Sequence, residues 1–392
     1  MMILTLAAAV ILCPPAAARA PEPARIQPDI TVLLMTSHHP TSVRLFSGDE
    51  AGLTVQLGTT RMQAPACGVS LDGDFLGIRC AGTETEKYRA LTVSDANGPV
   101  GVEIPGKVTR RYHGKIIVEA GTAELRIVNQ VSLEDYLAGV VGGELDSEEP
   151  AAMQAQAVLA RTWVIKNRMK HGAADVCDLT HCQVYHGVDG ESKRASEAVR
   201  RTAGLVATYN GQLIDVYYHS TSGGRTTSPG LEWGGQTPPY LKGVDDPWSS
   251  ISPHFQWDTS LTPAEIRKLG FEGFNGTILG IEVKDRNADD RAATVAVRLS
   301  TGTKTLTGQE FHRIMGRTLG WNYLKSDWFT VTNKNGRILF FGHGLGHGVG
   351  LSQWGAIGMS RKGYSFKEII QYYFPGVEVK PWDGLWPQLP RR

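Results

Sequence analysis

The sequence predicts an α+β protein, in which a β-rich region over 28–127 packs with a mixed helical and antiparallel-β core over 128–380. Three observations carry this. First, runs such as Ile30–Leu34, Gly52–Leu57, Lys115–Ala120 and Ala123–Val128 alternate or bunch apolar β-formers between Gly, Asp and Pro. Second, the character changes after Asn129. Ser132-Leu-Glu-Asp is a capping pattern, with Asp135 reaching back, and Tyr136, Val140 and Val141 give the helix it opens an apolar face. A second helix is expected from about Pro150 to Met169, with proline in the first turn and alanines that imply close packing. Third, strands return between Gly204 and Ser220, and a further α+β subregion covers about 262–332. A glycine-rich loop, a helix and a proline-containing tail over 381–392 close the chain.

Composition bounds the function. The 392 residues suit two or three packed lobes. A hydrophobic content of 41% with 20% charged residues is that of a globular chain. Lys+Arg 40 against Asp+Glu 39 leaves no basic surplus, which argues against a nucleic-acid partner. Residues 1–20 read as a signal peptide: Leu4–Leu12 is apolar but short, and Ala16-Ala17-Ala18 offers a cleavage site. Lipid modification of Cys13 is disfavoured by the bulky Leu12 before it. No later stretch is long and apolar enough for a membrane span, so the expected location is exported: periplasm, cell envelope or secreted. In that compartment Cys67 and Cys80, which bracket a turn-rich segment, are expected to form a hairpin disulfide.

Four clusters can carry chemistry. Glu144, in Val140-Val-Gly-Gly-Glu-Leu, stands beside apolar residues that would desolvate a carboxyl and raise its pKa, as a general acid requires. Its two glycines suggest a loop rim where backbone approaches a ligand; the competing reading is a solvated glutamate or helix cap. His171, Cys177, His181 and Cys182 form a tetrahedral zinc ligand set, against which stands a Cys177–Cys182 disulfide. On local pattern both stay open. Four protein ligands would close the shell and make any zinc structural; a zinc hydrolase would need one of them to point away. Tyr218, Ser220, Thr221, Ser222 and Gly223 lie in a hydroxyl- and glycine-rich strand end suited to sugar hydroxyls, or to an ordinary polar turn. Last, in Gly342–Ala356, glycine at every second position opposes a helix, leaving His347, Gln353 and Trp354 on a glycine-lined wall.

Three blocks, in order, resemble the stage II sporulation protein D and LytB amidase-enhancer family. They are Val128–Leu145 with Ala155–Trp163, Tyr217–Gly224, and Gly346–Ala356 followed by Tyr372-Tyr-Phe-Pro-Gly. The resemblance implies a glycan-binding cleft between lobes and a peptidoglycan lytic transglycosylase acting on peptide-free strands, with Glu144 as its acid/base. Arg161 would line the groove, with Gln154 two turns away on the same helix face, and Tyr218, Ser220 and Ser222 would orient sugars. A zinc-binding variant of the family matches His171, Cys177, His181 and Cys182, with no cofactor needed for the chemistry itself. The implied partners are peptidoglycan strands and a cell-wall amidase. The rival function is a non-catalytic, peptidoglycan-binding enhancer of an amidase. The sequence departs from the family in Gly142-Gly143 before Glu144, and in Leu145 after it where Met-Pro is frequent.

Overall fold

The computed structural model describes residues 28–383, apart from 49–51, 173, 271–275 and the side chains of 83–87. The expected signal peptide, Cys13 and the tail from 384 onward lie outside the described residues. The fold is α+β, built on three hydrophobic clusters.

The β-rich region is two sheets, of seven and six strands, sharing the first cluster. Alternation sets their faces: in Ser42–Phe46, Val43 and Leu45 are buried while Arg44 is exposed. Cys67 and Cys80 stand directly opposite on paired strands and form the expected disulfide. The seven-stranded sheet ends on a short strand, Val176–Cys177, which runs parallel to Asp29–Leu34 and pairs Cys177 with Leu33. A segment distant in sequence is thereby fastened to the sheet edge.

Two helices follow. Helix α1, Leu133–Glu144, begins at Ser132, whose Oγ accepts from the Asp135 N–H (3.2 Å) and donates to the Asp135 carboxylate (2.7 Å). Helix α2, Pro150–Lys166, is buried nearly all round. Its Met153, Ala157, Ala160 and Val164 join the first cluster, and Ala152, Ala155, Val158 and Leu159 the second. Small alanine side chains are what let a helix lie between two cores. The helix stops three residues before the expected Met169, whose own φ of 59° is left-handed and incompatible with continuing it.

The second cluster packs α2 against Leu205–Tyr209 and the helices Gln353–Arg361 and Phe366–Tyr373. The third belongs to the expected α+β subregion, which is wider than 262–332. It runs from the strand Gln256–Leu261 to Arg337–His343, which pair with each other. Within it a three-stranded meander, Ile278–Thr307, leads into the helix Gly308–Leu319, capped by Thr307 and Glu310. No helix among the described residues is long and apolar enough to cross a membrane.

Candidate active site

Glu144 is the last residue of α1, not a residue of a loop rim. The first of the two glycines before it makes room for protein, not ligand, while a side chain at the second would meet only ordinary contacts. A Cβ on Gly142 would stand 2.1 Å from the Gly190 carbonyl oxygen, and one on Gly143 3.4 Å from that of Val184. The helix thereby approaches the 182–190 segment closely enough for the Val184 N–H to donate to Glu144 Oε1 (2.9 Å). The Tyr218 hydroxyl also hydrogen-bonds the carboxyl. Burial raises the Glu144 pKa above the usual carboxylate range, and the Val184 and Tyr218 donors oppose that rise. Desolvation wins, which favours the protonated form.

Glu144 opens on a groove of about 390 Å³. Tyr217, Tyr218, Ser220, His347 and Gln353 line it, as do Trp163, Lys170, His181, Cys182 and Val184. Gln353 Nε2 donates to the Glu144 backbone carbonyl (3.0 Å), fixing the end of α1. Behind Tyr218, Gln183 bridges two phenols: its Nε2 donates to the Tyr218 hydroxyl (3.4 Å) and its Oε1 accepts from Tyr136 (3.1 Å).

Other expected groove residues lie elsewhere, for identifiable reasons. Arg161 is wholly buried, with Nε and Nη2 donating to the Glu134 carboxylate (2.8 and 2.5 Å) and Nη1 to the Leu205 carbonyl (3.1 Å). It presents no face to the groove. Gln154 lines a separate depression with Ser147, Met153 and Arg194, so sharing a helix face did not bring it to Glu144. Ser222 is buried, its Oγ donating to Asp246 (2.6 Å), and Asp246 also accepts from Tyr373 (2.8 Å). Thr221 is buried as well. Gly223 abuts Gly344, whose nitrogen would stand 2.4 Å from an added Cβ. The strand end is thus a packed joint, of which Tyr218 and Ser220 reach the groove.

His347 lines the groove, but both ring nitrogens are committed. Val349 N–H donates to Nδ1 (3.0 Å), so Nε2 carries the proton and donates to the Tyr218 carbonyl (3.1 Å). Burial and the Arg291 guanidinium hold its pKa down to about 4. It is a neutral brace. The alternate glycines around it serve packing too: a Cβ on Gly348 would stand 2.1 Å from Arg291 Nη2, and one on Gly350 2.2 Å from the Tyr217 carbonyl oxygen, at φ of 76° and 75°. Arg291 is itself buried and pairs with Asp327 (2.7 Å), which joins the third core to this wall.

The sequence reading missed one aromatic. Trp354 is partly buried and packs against the second core. The exposed ring beside the groove is Trp233, 44% exposed, with centroids 5.0 Å from Tyr217 and 5.2 Å from His347. Its only sequence signal is a tryptophan next to Gly234-Gly235.

At the groove's edge His171, Cys177, His181 and Cys182 converge, their ligand atoms all within 4.8 Å of one another. His171 Nε2 lies 3.2 Å from Cys182 Sγ and 3.4 Å from His181 Nε2, which is 3.3 Å from Cys177 Sγ. Ligands about 2.0–2.3 Å from a tetrahedral zinc stand roughly 3.3–3.8 Å apart, so this donor set fits that ion. Both cysteines are free thiols. The sheet edge braces the cluster: Asp178 Oδ2 accepts from the Met35 N–H (2.9 Å), and Asp175 Oδ2 from the Thr31 N–H (2.9 Å).

The family model described as "Stage II sporulation protein" matches residues 122–209, which contain Glu144 and all four members of the cluster. Stage II sporulation protein D of Bacillus subtilis (strain 168) is 31% identical over 278 residues, 66% of this chain and 77% of that protein. Its namesake from Bacillus amyloliquefaciens is 30% identical over 277 residues, again 66% of this chain and 77% of the relative. The amidase enhancer of Bacillus subtilis (strain 168) is 30% identical over 291 residues, 60% of this chain and 40% of that protein.

Proposed function

The chain belongs to the stage II sporulation protein D family, and from that premise we propose that it is an exported lytic transglycosylase cleaving muramic acid–glucosamine linkages in peptide-free glycan strands. Its role is cell-wall related. The observation that carries the finer reading is a single carboxyl, raised in pKa by burial, on the wall of an open groove.

One carboxyl suffices for this reaction. Protonated Glu144 gives its proton to the glycosidic oxygen as the C1–O bond breaks. The resulting carboxylate takes the proton of the muramic acid C6 hydroxyl, whose oxygen closes on C1 and leaves a 1,6-anhydro end. No water is consumed and Glu144 recovers its proton, so the second carboxylate of a hydrolase is unnecessary. Tyr218 and Val184 orient the carboxyl, and Ser220 supplies a hydroxyl for positioning sugars.

His171, Cys177, His181 and Cys182 would hold a zinc ion. With all four converging, the shell would be closed and the metal would be structural, which speaks against a zinc hydrolase. The amidase enhancer among the relatives favours a second reading, a glycan-binding partner of a cell-wall amidase. Mass spectrometry of peptide-free strands incubated with the protein separates the two. Products ending in 1,6-anhydromuramic acid, absent with Glu144→Gln, are expected. Sedimentation with the glycan but no cleavage would leave the binding role.

A further inference from the structure

Lys170 is the sole lysine or arginine among the residues lining the groove. Its ammonium stands 4.6 Å from the centroid of the Trp163 ring, a second lining residue, and pairs with no carboxylate among the described residues. Other basic groups nearby are committed. Arg161 is spent on Glu134, His347 is neutral, and His171 and His181 face the cysteines. The position of Lys170 is fixed at both ends. Its backbone N–H donates to the Asp175 carbonyl (3.1 Å) immediately before the cluster residue His171, and its ammonium rests on an indole.

We propose that Lys170 is an anion subsite that reads a carboxylate carried by the glycan, a proposal that rests on the glycan reading above. The N-acetylglucosamine residues in such a strand are neutral, their nitrogen being an amide. Muramic acid carries on O3 a lactyl ether ending in a carboxyl group. When that group is free it is a carboxylate able to pair with an ammonium; when a peptide is attached it is a neutral amide. A cation on the wall of a groove otherwise without lysine or arginine therefore distinguishes the two forms by charge. Trp163 keeps one side of the ammonium out of water, which strengthens its pairing with an anion.

The test uses the full chain carrying Glu144→Gln, which removes cleavage so that binding alone is read. Short glycan oligosaccharides are prepared with the lactyl carboxylate free, and with the same group converted to its methylamide. Calorimetry is expected to show the free form binding about fivefold tighter, the ratio an exposed ion pair supports, with the difference shrinking at high salt. Lys170→Met, which keeps a flexible chain on the indole, is expected to abolish the preference and leave methylamide binding unchanged. Lys170→Arg is expected to keep the preference. Retention of the preference in Lys170→Met, with metal content and circular dichroism unaltered, overturns the proposal, as does equal binding of both forms before substitution. Failure to bind either form overturns the glycan reading along with it.

Discussion

Arg161 offers a sharp test of how this molecule is organised, because family resemblance and geometry assign it different work. Its side chain is fully buried, and it makes two bonds to Glu134 at 2.8 and 2.5 Å and one to the Leu205 carbonyl at 3.1 Å. Arg161→Ala removes all of these and strands the Glu134 carboxylate, which is only 16% exposed. Breaking a buried pair from one side costs about 3–5 kcal/mol, most of it from the uncompensated charge left behind. Replacing both partners, as Glu134→Gln with Arg161→Ala, removes the stranded charge and is expected to recover part of that loss. Urea unfolding of the two singles and the double measures this directly, and glycan binding by the folded fraction of each is compared in parallel. The expected result is a large, strongly non-additive stability effect with near-native binding. An Arg161→Ala protein of wild-type stability that has lost glycan affinity would refute the reasoning and return Arg161 to the groove.

Four further outcomes follow from the geometry. Glu144→Gln is expected to lower transglycosylase turnover about 10²–10⁴-fold, the usual worth of a general acid–base, with glycan sedimentation retained. Because the acid must be protonated, activity falls as pH rises through the burial-raised Glu144 pKa; Tyr218→Phe removes a donor that opposes the rise, so the alkaline limb of the pH profile is expected to move upward. Trp233→Ala exposes no core and is expected to weaken glycan binding about 5–30-fold, as loss of an apolar contact face worth roughly 1–2 kcal/mol does, with the urea midpoint unchanged. One zinc per chain is expected by elemental analysis, lost in Cys182→Ser together with several degrees of melting temperature; a Cys177–Cys182 disulfide in the mass spectrum of native protein would exclude it.

The β-rich start, the Ser132 cap, the Cys67–Cys80 pairing and the central alanine helix were legible because each rests on local rules: alternation, capping, cysteine separation and side-chain size. Glu144 and the His/Cys cluster were legible as residue types. What the sequence hid was which polar side chains face water. Arg161, Ser222 and Glu144 look alike as candidate polar site residues, yet partners remote in sequence decide their fate: Glu134 and Leu205 for the first, Asp246 for the second, Val184 for the third. Glycines misled for a related reason. A missing Cβ shows that something comes close, but Gly142 and Gly348 are approached by Gly190 and Arg291 of the same chain, not by a ligand.

The placement of Glu144 gives the N-terminal sheets a role at the groove. A carboxyl at the end of a helix has freedom to swing unless something outside the helix holds it. Here the holder is the Val184 N–H, two residues after the ligand atom of Cys182 and eight before the cap Ser192. The regular structure of that segment is a single 3-10 turn, Gly187–Gly190. It is tethered upstream by Val176–Cys177 on the strand Asp29–Leu34, and by Asp178 on the Met35 N–H. Downstream, the Tyr185 hydroxyl donates to Asn129 (2.8 Å) on the neighbouring strand. An ion shared by His171, Cys177, His181 and Cys182 would close this tether into a ring. The sheet edge, the cluster and the acid then form one continuous support, in which distant residues limit how far the carboxyl can move without touching it.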